Sequence, residues 1–212
     1  MTPDLFFALI GFAFATSVTP GPSNFLLLAS GANFGFRRSL PLALGINLGF
    51  LSMILVVGLG LGQVLRDHPA VYSVLKIVAA GYVLWLAWKV AGSAAPEGEP
   101  STSASRPVSF LQAAFLQWVN PKAWAVALIV TVSYTAAEPS GGNAVAALAL
   151  LIAVFGAVNL PSISLWAISG MALRRLLGDP LKLRVFNFAM AFLLVASMVP
   201  VLLAATSWPA AF

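Results

Sequence analysis

The chain has 212 residues, of which 60% are hydrophobic and only 8% are charged, and it contains no cysteine. A soluble domain averages about 25% charged residues, so this composition excludes an ordinary soluble protein and indicates an integral membrane protein. The absence of thiols excludes disulfides, thiolate metal sites and CxxC redox chemistry. We interpret the net charge of +5 as a topology signal and not as a sign of nucleic-acid binding, because basic residues orient membrane proteins.

Apolar stretches long enough to cross a bilayer, about 20 residues each, occur six times along the chain. They lie at about residues 5–34, 40–65, 70–90, 110–135, 144–173 and 183–205. No positive charge precedes the first stretch, so we interpret it as a membrane span and not as a cleaved signal peptide. The sequence therefore predicts an all-α membrane protein with six transmembrane helices.

A polar segment rich in Pro, Ser, Gly and Glu separates the third span from the fourth. This segment, residues 92–108, has the composition of a disordered linker. It divides the chain into residues 1–91 and 109–212, with three predicted spans in each half. An odd number of spans reverses the direction of the second half, so we predict two inverted three-helix repeats.

The basic residues between the spans predict the orientation. Eight of them fall on one side of the membrane, namely Arg37, Arg38, Lys89, Arg106, Arg174, Arg175, Lys182 and Arg184. The other side carries only Arg66 and Lys76. By the positive-inside rule the richer side is cytoplasmic, so both termini are predicted outside and the linker inside.

The first span of each half is interrupted by proline. The residues at these breaks are Pro20, Gly21, Pro22, Ser23 and Asn24 in span one, and Asn120 and Pro121 in span four. Proline breaks a helix and pushes the preceding Thr19 out of the helical region, so helices one and four are predicted to be broken. Unsatisfied backbone cannot face lipid, so each break must face protein or a water-filled cavity.

The break in span one predicts a binding site for a small anion or carboxylate. We expect Ser23 or Asn24 to cap the second half-helix by accepting from its free N–H groups. The remaining donors at the positive end of the helix dipole then suit an anion. The alternative is that the break only kinks the helix for packing.

Lys122 lies deep within span four, about twelve residues from its start. An ammonium at that depth costs on the order of 3 kcal/mol, and no Asp or Glu lies deep in any span to pair with it. Two roles are open: it attracts a substrate carboxylate, or it releases its proton in a low-dielectric site and takes part in proton coupling. Snorkelling towards the interface is the structural alternative.

Asn47 and Asn159 occupy the middle of spans two and five. Each either lines a polar cavity or joins helices by hydrogen bonds, and both alternatives stay open. Gln117 is a weaker candidate of the same kind. Ser162 and Ser164 are expected to bond to their own helix.

Small residues in span two, Gly45 and Gly49 followed by Gly58, Gly60 and Gly62, predict close helix packing. His68 lies at a span end, and we interpret it as an exposed loop residue.

Three stretches are similar to one family, and the resemblance extends over nearly the whole chain. They are TPGPSNFLLLASGANFGFRRSLPLALGINLGF, GYVLWLAWKVAGS and FLQWVNPKAW, and they resemble the LysE/RhtB family of amino-acid exporters. The resemblance implies six helices in two inverted halves. It also implies export of amino acids from the bacterial cytoplasm across the inner membrane, driven by the proton-motive force as in an antiporter, with both termini periplasmic.

The family's TPGP and NPKA elements are both present. Carried over residue by residue, the family pattern covers Pro20, Gly21, Pro22, Ser23, Asn24, Asn120, Pro121, Lys122 and Ala123. The position of Ser23 is often Asn in relatives, so one cap or ligand differs here. The stretches MTPDLFFA and YVLWLAWK look most like the branch exporting cysteine and O-acetylserine.

A neutral amino acid is the favoured substrate, because a lysine or arginine exporter would need a carboxylate within the membrane. The acidic residues all lie at span ends or in loops, namely Asp4, Asp67, Glu97, Glu99, Glu138 and Asp179. We expect the substrate carboxylate near Ser23, Asn24 and Lys122. Its ammonium is expected to meet backbone carbonyls freed at the breaks, with Asn47 or Asn159.

Other functions fit the residues less well. An enzyme would need a positioned nucleophile or acid–base pair, and a metal exporter would need several His, Asp or Glu ligands within the spans. We therefore predict a transporter without enzymatic activity or cofactor, whose partners are the amino acid and the lipid bilayer. A passive channel lined by the same breaks stays open as an alternative, and so does a homo-oligomer.

Overall fold

The regular secondary structure of the described residues is entirely helical. A computed structural model describes residues 2–61, 69–93, 106–135, 144–197 and 199. Its helices are α1 (Pro3–Val18), α2 (Pro22–Phe34), α3 (Phe36–Val56), α4 (Pro69–Ala91), α5 (Phe110–Val119), α6 (Pro121–Thr135), α7 (Ala144–Leu173) and α8 (Pro180–Ala196). A π-helical turn, Val57–Leu61, extends α3. The prediction of an all-α fold is confirmed for these residues.

Several helices begin where the local sequence provides a cap. Thr2 accepts from the backbone N–H of Leu5 at the start of α1, and Asp179 accepts from Leu181 at 2.7 Å at the start of α8. Ser109 and Gln112 form a reciprocal capping box at the start of α5. Such caps satisfy N–H groups that have no partner inside the helix.

Within the described residues, two helices are long and apolar enough to cross a membrane, at Phe36–Gly60 and Val145–Leu173. Two bent pairs qualify when each is taken as one span: α1 with α2, which meet at 58°, and α5 with α6, which meet at 68°. The predicted breaks in helices one and four are therefore present.

The third and sixth predicted spans correspond to α4 and α8. The apolar stretch found within α4, Ile77–Ala91, is shorter than the length required of a membrane span. The predicted sixth span continues beyond α8 into residues that the structure does not describe. The count of six spans stays a prediction. His68 and most of the linker, residues 94–105, also lie outside the described residues.

Helices from the two sequence halves pack directly on one another. The most extensive contacts are those of α2 with α7, of α3 with α5 and α7, and of α4 with α8. A side chain at Gly31 would collide with the backbone of Ala167, and one at Gly170 would collide with the backbone of Leu28. Glycine therefore allows α2 and α7 to touch through their backbones.

The glycines of α3 have two different roles. Gly45 lies against the backbone of Phe110 and Gly49 against that of Ala114, which confirms the predicted close packing. Gly60 has no atom within 4 Å of its Cβ position and has φ of +113°. Its positive φ is a backbone conformation that favours glycine. The prediction that Gly60 allows close helix packing was therefore wrong.

The buried apolar side chains form two clusters. One consists of side chains from α2, the first part of α3, α4, α5, the second part of α7, and α8, and includes Ile46 and Ile163. The other consists of side chains from α1, the second part of α3, α6 and the first part of α7, and includes Phe50 and Phe155. The two helix breaks lie between these clusters.

Candidate functional site

The C-terminal end of α1 leaves backbone carbonyls without helical donors. Thr19 is extended, with φ of −62° and ψ of 134°, as expected for a residue before proline. The side chain of Asn24 donates to Ser17 O at 2.8 Å and to Thr19 O at 2.9 Å. Trp166 of α7 donates to Val18 O at 3.3 Å. Side chains thus provide the hydrogen bonds that the broken helix lacks.

The predicted cap of α2 was wrong. The N-cap residue is Gly21, no side chain caps the helix, and Pro22 occupies its first position. Ser23 and Asn24 lie inside the first turn, so their side chains contact neighbouring elements instead of the N–H groups ahead of them. The first turn of α2, residues 21–24, therefore faces the cavity with its N–H donors uncapped by any described side chain. We call it the α2 entry turn.

The second break is capped where the first is not. Asn120 ends α5 in an extended conformation, and its Oδ1 accepts from the backbone N–H of Lys122 at 3.1 Å. Trp124 donates to Trp118 O at 2.7 Å, which satisfies a carbonyl at the end of α5. One asparagine therefore both ends α5 and caps α6.

Lys122 has a partner that the sequence does not reveal. Its Nζ donates to Thr19 O at 2.5 Å, so the ammonium lies at the C-terminal, negative end of the α1 dipole. A side chain at Gly21 would lie 3.0 Å from Lys122 Cδ, so glycine there leaves room for the lysine stem. The C-terminal end of α1 therefore provides Lys122 with a negatively polarised partner in place of an Asp or Glu side chain.

Three buried polar side chains join the two breaks. Gln117 Nε2 donates to Ser23 Oγ at 2.9 Å, and Asn120 Nδ2 donates to the same oxygen at 3.2 Å. Ser23, Gln117 and Asn120 are almost completely inaccessible to solvent. Residues more than ninety positions apart in the chain thus form one network, with Gln117 more central to it than its sequence context suggests.

A cavity of about 50 Å³ lies where the breaks meet. It is lined by Thr16, Ser17, Gly21, Pro22, Ser23, Asn24, Ile46, Phe50, Gln117, Asn120, Lys122, Ala123, Val126, Phe155, Asn159 and Ile163. Seven of the ten predicted site residues are among them. Pro20, Asn47 and Pro121 are not among the lining residues.

Asn47 and Asn159 form a buried pair between α3 and α7. Asn159 Nδ2 donates to Asn47 Oδ1 at 2.9 Å. Of the two, only Asn159 lines the cavity. Asn159 therefore both lines the cavity and joins two helices, whereas Asn47 only joins the helices. Ser162 and Ser164 bond to carbonyls of their own helix, as predicted.

Sequence reasoning missed two groups of residues. The apolar side chains of the cavity had no distinguishing signal, because Ile, Val and Phe are frequent throughout the spans. Asn33 and Asn187 exchange two hydrogen bonds, at 2.6 and 3.0 Å, and Asn187 also donates to Ser93 O at 2.6 Å. An asparagine inside the apolar stretch VFNFAMAF was the available signal for this second group.

The sequence model of the LysE type translocator family matches residues 14–204. The chain belongs to the LysE type translocator family. The match includes both helix breaks, Lys122 and every residue that lines the cavity. Membership confirms the resemblance found in the sequence and makes this chain a membrane translocator.

Curated relatives of this LysE-type translocator are similar over most of their length. The cysteine/O-acetylserine efflux protein of Escherichia coli strain K12 is 33% identical over 196 residues, which is 92% of this chain and 96% of the relative. The protein of the same name from Salmonella typhimurium strain LT2 is 33% identical over 176 residues, which is 82% of this chain and 87% of the relative. No solved structure matches the translocator significantly.

Proposed function

We propose that this LysE-type translocator exports a small neutral amino acid from the bacterial cytoplasm, in exchange for protons, by alternating access around the cavity at the two breaks. The observation that carries the proposal is the meeting of the α2 entry turn with the Lys122 ammonium on one wall of this cavity. Curated relatives named for efflux of cysteine and O-acetylserine support a substrate of that size and charge.

The substrate carboxylate binds between the α2 entry turn and Lys122. Uncapped N–H groups at a helix N-terminus attract anions through their hydrogen bonds and the helix dipole. Lys122 can turn from Thr19 O towards an incoming carboxylate, because both acceptors lie at the same break. Ser23, held by Gln117 and Asn120, keeps the turn in place.

The substrate ammonium binds on the opposite side, near Asn159. The amide nitrogen of Asn159 is engaged by Asn47, which leaves its amide oxygen for a cationic group. The freed carbonyls of Ser17, Val18 and Thr19 already accept hydrogen bonds from the protein. We therefore assign the binding of the substrate ammonium to Asn159 and not to these carbonyls.

Alternating access requires the halves to separate on one side at a time. The backbone contact of α2 with α7 at Gly31 and Gly170 supports a closed arrangement on the cytoplasmic side of the cavity. Under inverted repeats, α6 and α3 are the counterparts of α2 and α7. The contact between α6 and α3 is much less extensive than the contact between α2 and α7.

The test is efflux of labelled serine, homoserine, cysteine, leucine and lysine from cells that produce the translocator. Export of a neutral amino acid is expected to stop with a protonophore. Lys122→Met is expected to reduce it about tenfold or more, since hydrogen bonds to charged groups are worth roughly 1.5–3 kcal/mol. Lys182→Met, which removes an exposed lysine at the start of α8, is the matched control and retains efflux.

Two results would contradict the proposal. Efflux unchanged by the protonophore and by Lys122→Met would indicate a passive pathway. Preferential export of lysine would exclude a site selective for neutral substrates.

A further inference from the structure

Part of the cavity lining is apolar. It consists of Ile46, Phe50, Val126, Phe155 and Ile163, which we call the apolar wall. None of the described residues that line the cavity is acidic, and Lys122 is the only charged one among them. The cavity therefore offers polar groups to the charged ends of an amino acid and apolar side chains to an uncharged substrate side chain.

One face of α7 carries both kinds of contact. Phe155, Asn159 and Ile163 are spaced four residues apart, so they lie in a row along the helix and all three line the cavity. The phenylalanine and isoleucine flank the asparagine, one helical turn away on either side. A substrate whose ammonium meets Asn159 therefore has its side chain held against this row.

Phe155 is held in position by burial and by a ring contact. It is 1% exposed, and its ring packs edge-to-face on Phe50 of α3, with centroids 5.4 Å apart and planes at 68°. The Asn47–Asn159 hydrogen bond joins the same two helices one turn away. A buried ring packed on Phe50 cannot easily rotate away to admit a larger side chain.

The free volume is small. The cavity measures about 50 Å³, on a scale where one water molecule needs roughly 10–15 Å³. It thus holds the equivalent of a few water molecules, which favours a substrate with a small side chain over one with a branched or aromatic side chain.

We propose that Phe155, supported by Phe50, determines the size of the exported amino acid by closing the apolar wall against the substrate side chain. This inference rests on the proposed function, and it assigns selectivity to a residue that makes no polar contact with substrate.

The experiment measures the ratio of leucine efflux to serine efflux in cells producing the wild type, Phe155→Ala or Phe155→Leu. One extra methylene in an apolar pocket changes selectivity by about 10–200-fold. Phe155→Ala is therefore expected to raise the ratio at least about tenfold, and Phe155→Leu to raise it less. The amount of each variant in the membrane is measured in parallel.

Leu151→Ala is the matched control. Leu151 is also 1% exposed, lies one turn earlier on α7 and belongs to the same apolar cluster, but it does not line the cavity. Its truncation removes similar buried contacts and is expected to leave the efflux ratio unchanged.

The outcomes separate the two proposals. An unchanged ratio in both Phe155 variants, with serine still exported, would overturn the role of Phe155 and leave the transport function intact. An equal rise in Leu151→Ala would assign the effect to general loosening of the core and would also overturn it. No gradient-dependent efflux from the wild type would refute the proposed function itself.

Discussion

At the residue scale, the site depends on how the carbonyls at the end of α1 are satisfied. Three side chains from different elements donate to them: Asn24, Trp166 and Lys122. In a membrane each unsatisfied carbonyl would cost several kcal/mol. Asn24 alone serves two carbonyls, so it stabilises the break from within.

Asn24→Leu is expected to destabilise the protein by about 1–3 kcal/mol, because the buried carbonyl of Ser17 loses its donor and that of Thr19 keeps only Lys122. Thermal unfolding in detergent measures the change. Ser164→Ala is the control, since Ser164 only bonds to a carbonyl of its own helix. Equal effects of the two substitutions would show that Asn24 has no special role at the break.

At the element scale, glycine determines how closely helices approach. Gly31 of α2 lies against the Ala167 backbone, and Gly170 of α7 lies against the Leu28 backbone. The two helices therefore touch at two points, and each helix contributes one of the glycines. This contact brings Trp166 to the end of α1 and Asn159 to the cavity. The helix packing therefore positions polar residues of the site that come from α7.

Gly31→Ala is expected to destabilise the protein by about 1–3 kcal/mol, because the added methyl group forces two backbones apart. Gly11→Ala, where no atom lies within 4 Å of the Cβ position, is expected to be neutral or to gain up to about 1 kcal/mol from helix propensity. Unfolding in detergent compares them. A Gly31→Ala variant as stable as Gly11→Ala would show that α2 and α7 are not in close contact.

At the scale of the whole molecule, polar pairs tie the first sequence half to the second. Asn47 pairs with Asn159 beside the cavity. Asn33 pairs with Asn187, with 2% and 0% exposure respectively, and Asn187 also holds the chain end of α4 through Ser93 O. The second pair joins three helices away from the cavity.

Asn33→Leu and Asn187→Leu are each expected to destabilise the protein by about 1–3 kcal/mol, because each leaves a buried amide without its partner. The double variant is expected to lose less than the sum, as for residues in direct contact. Unfolding of all three variants measures the coupling. Strict additivity would show that the two asparagines do not interact.

The orientation of the whole molecule is also open to a direct test, because the sequence has no cysteine and single cysteines can be introduced without removing others. Thr2 and Gly178 are both exposed, and the positive-inside rule predicts them on opposite sides. In intact spheroplasts, a membrane-impermeant maleimide is expected to label Thr2→Cys but not Gly178→Cys. The reverse pattern would invert the predicted topology.

The sequence by itself determined the membrane environment, the helical class, both breaks and Lys122 as the residue to explain. These depend on composition and on local backbone chemistry: apolar length indicates a span, and proline breaks a helix wherever it occurs in one. The extended Thr19 followed from this local reasoning, and so did the glycine packing at Gly45 and Gly49.

Only the tertiary structure decided which groups meet at the breaks. It replaced the expected caps by a glycine start, gave Lys122 a carbonyl partner from α1, and separated Asn159, which lines the cavity, from Asn47, which supports it. It also selected Phe155 from the many apolar residues of the spans. These contacts join residues about a hundred positions apart, and their geometry depends on helix approach and bend angle, which no local pattern of amino acids encodes.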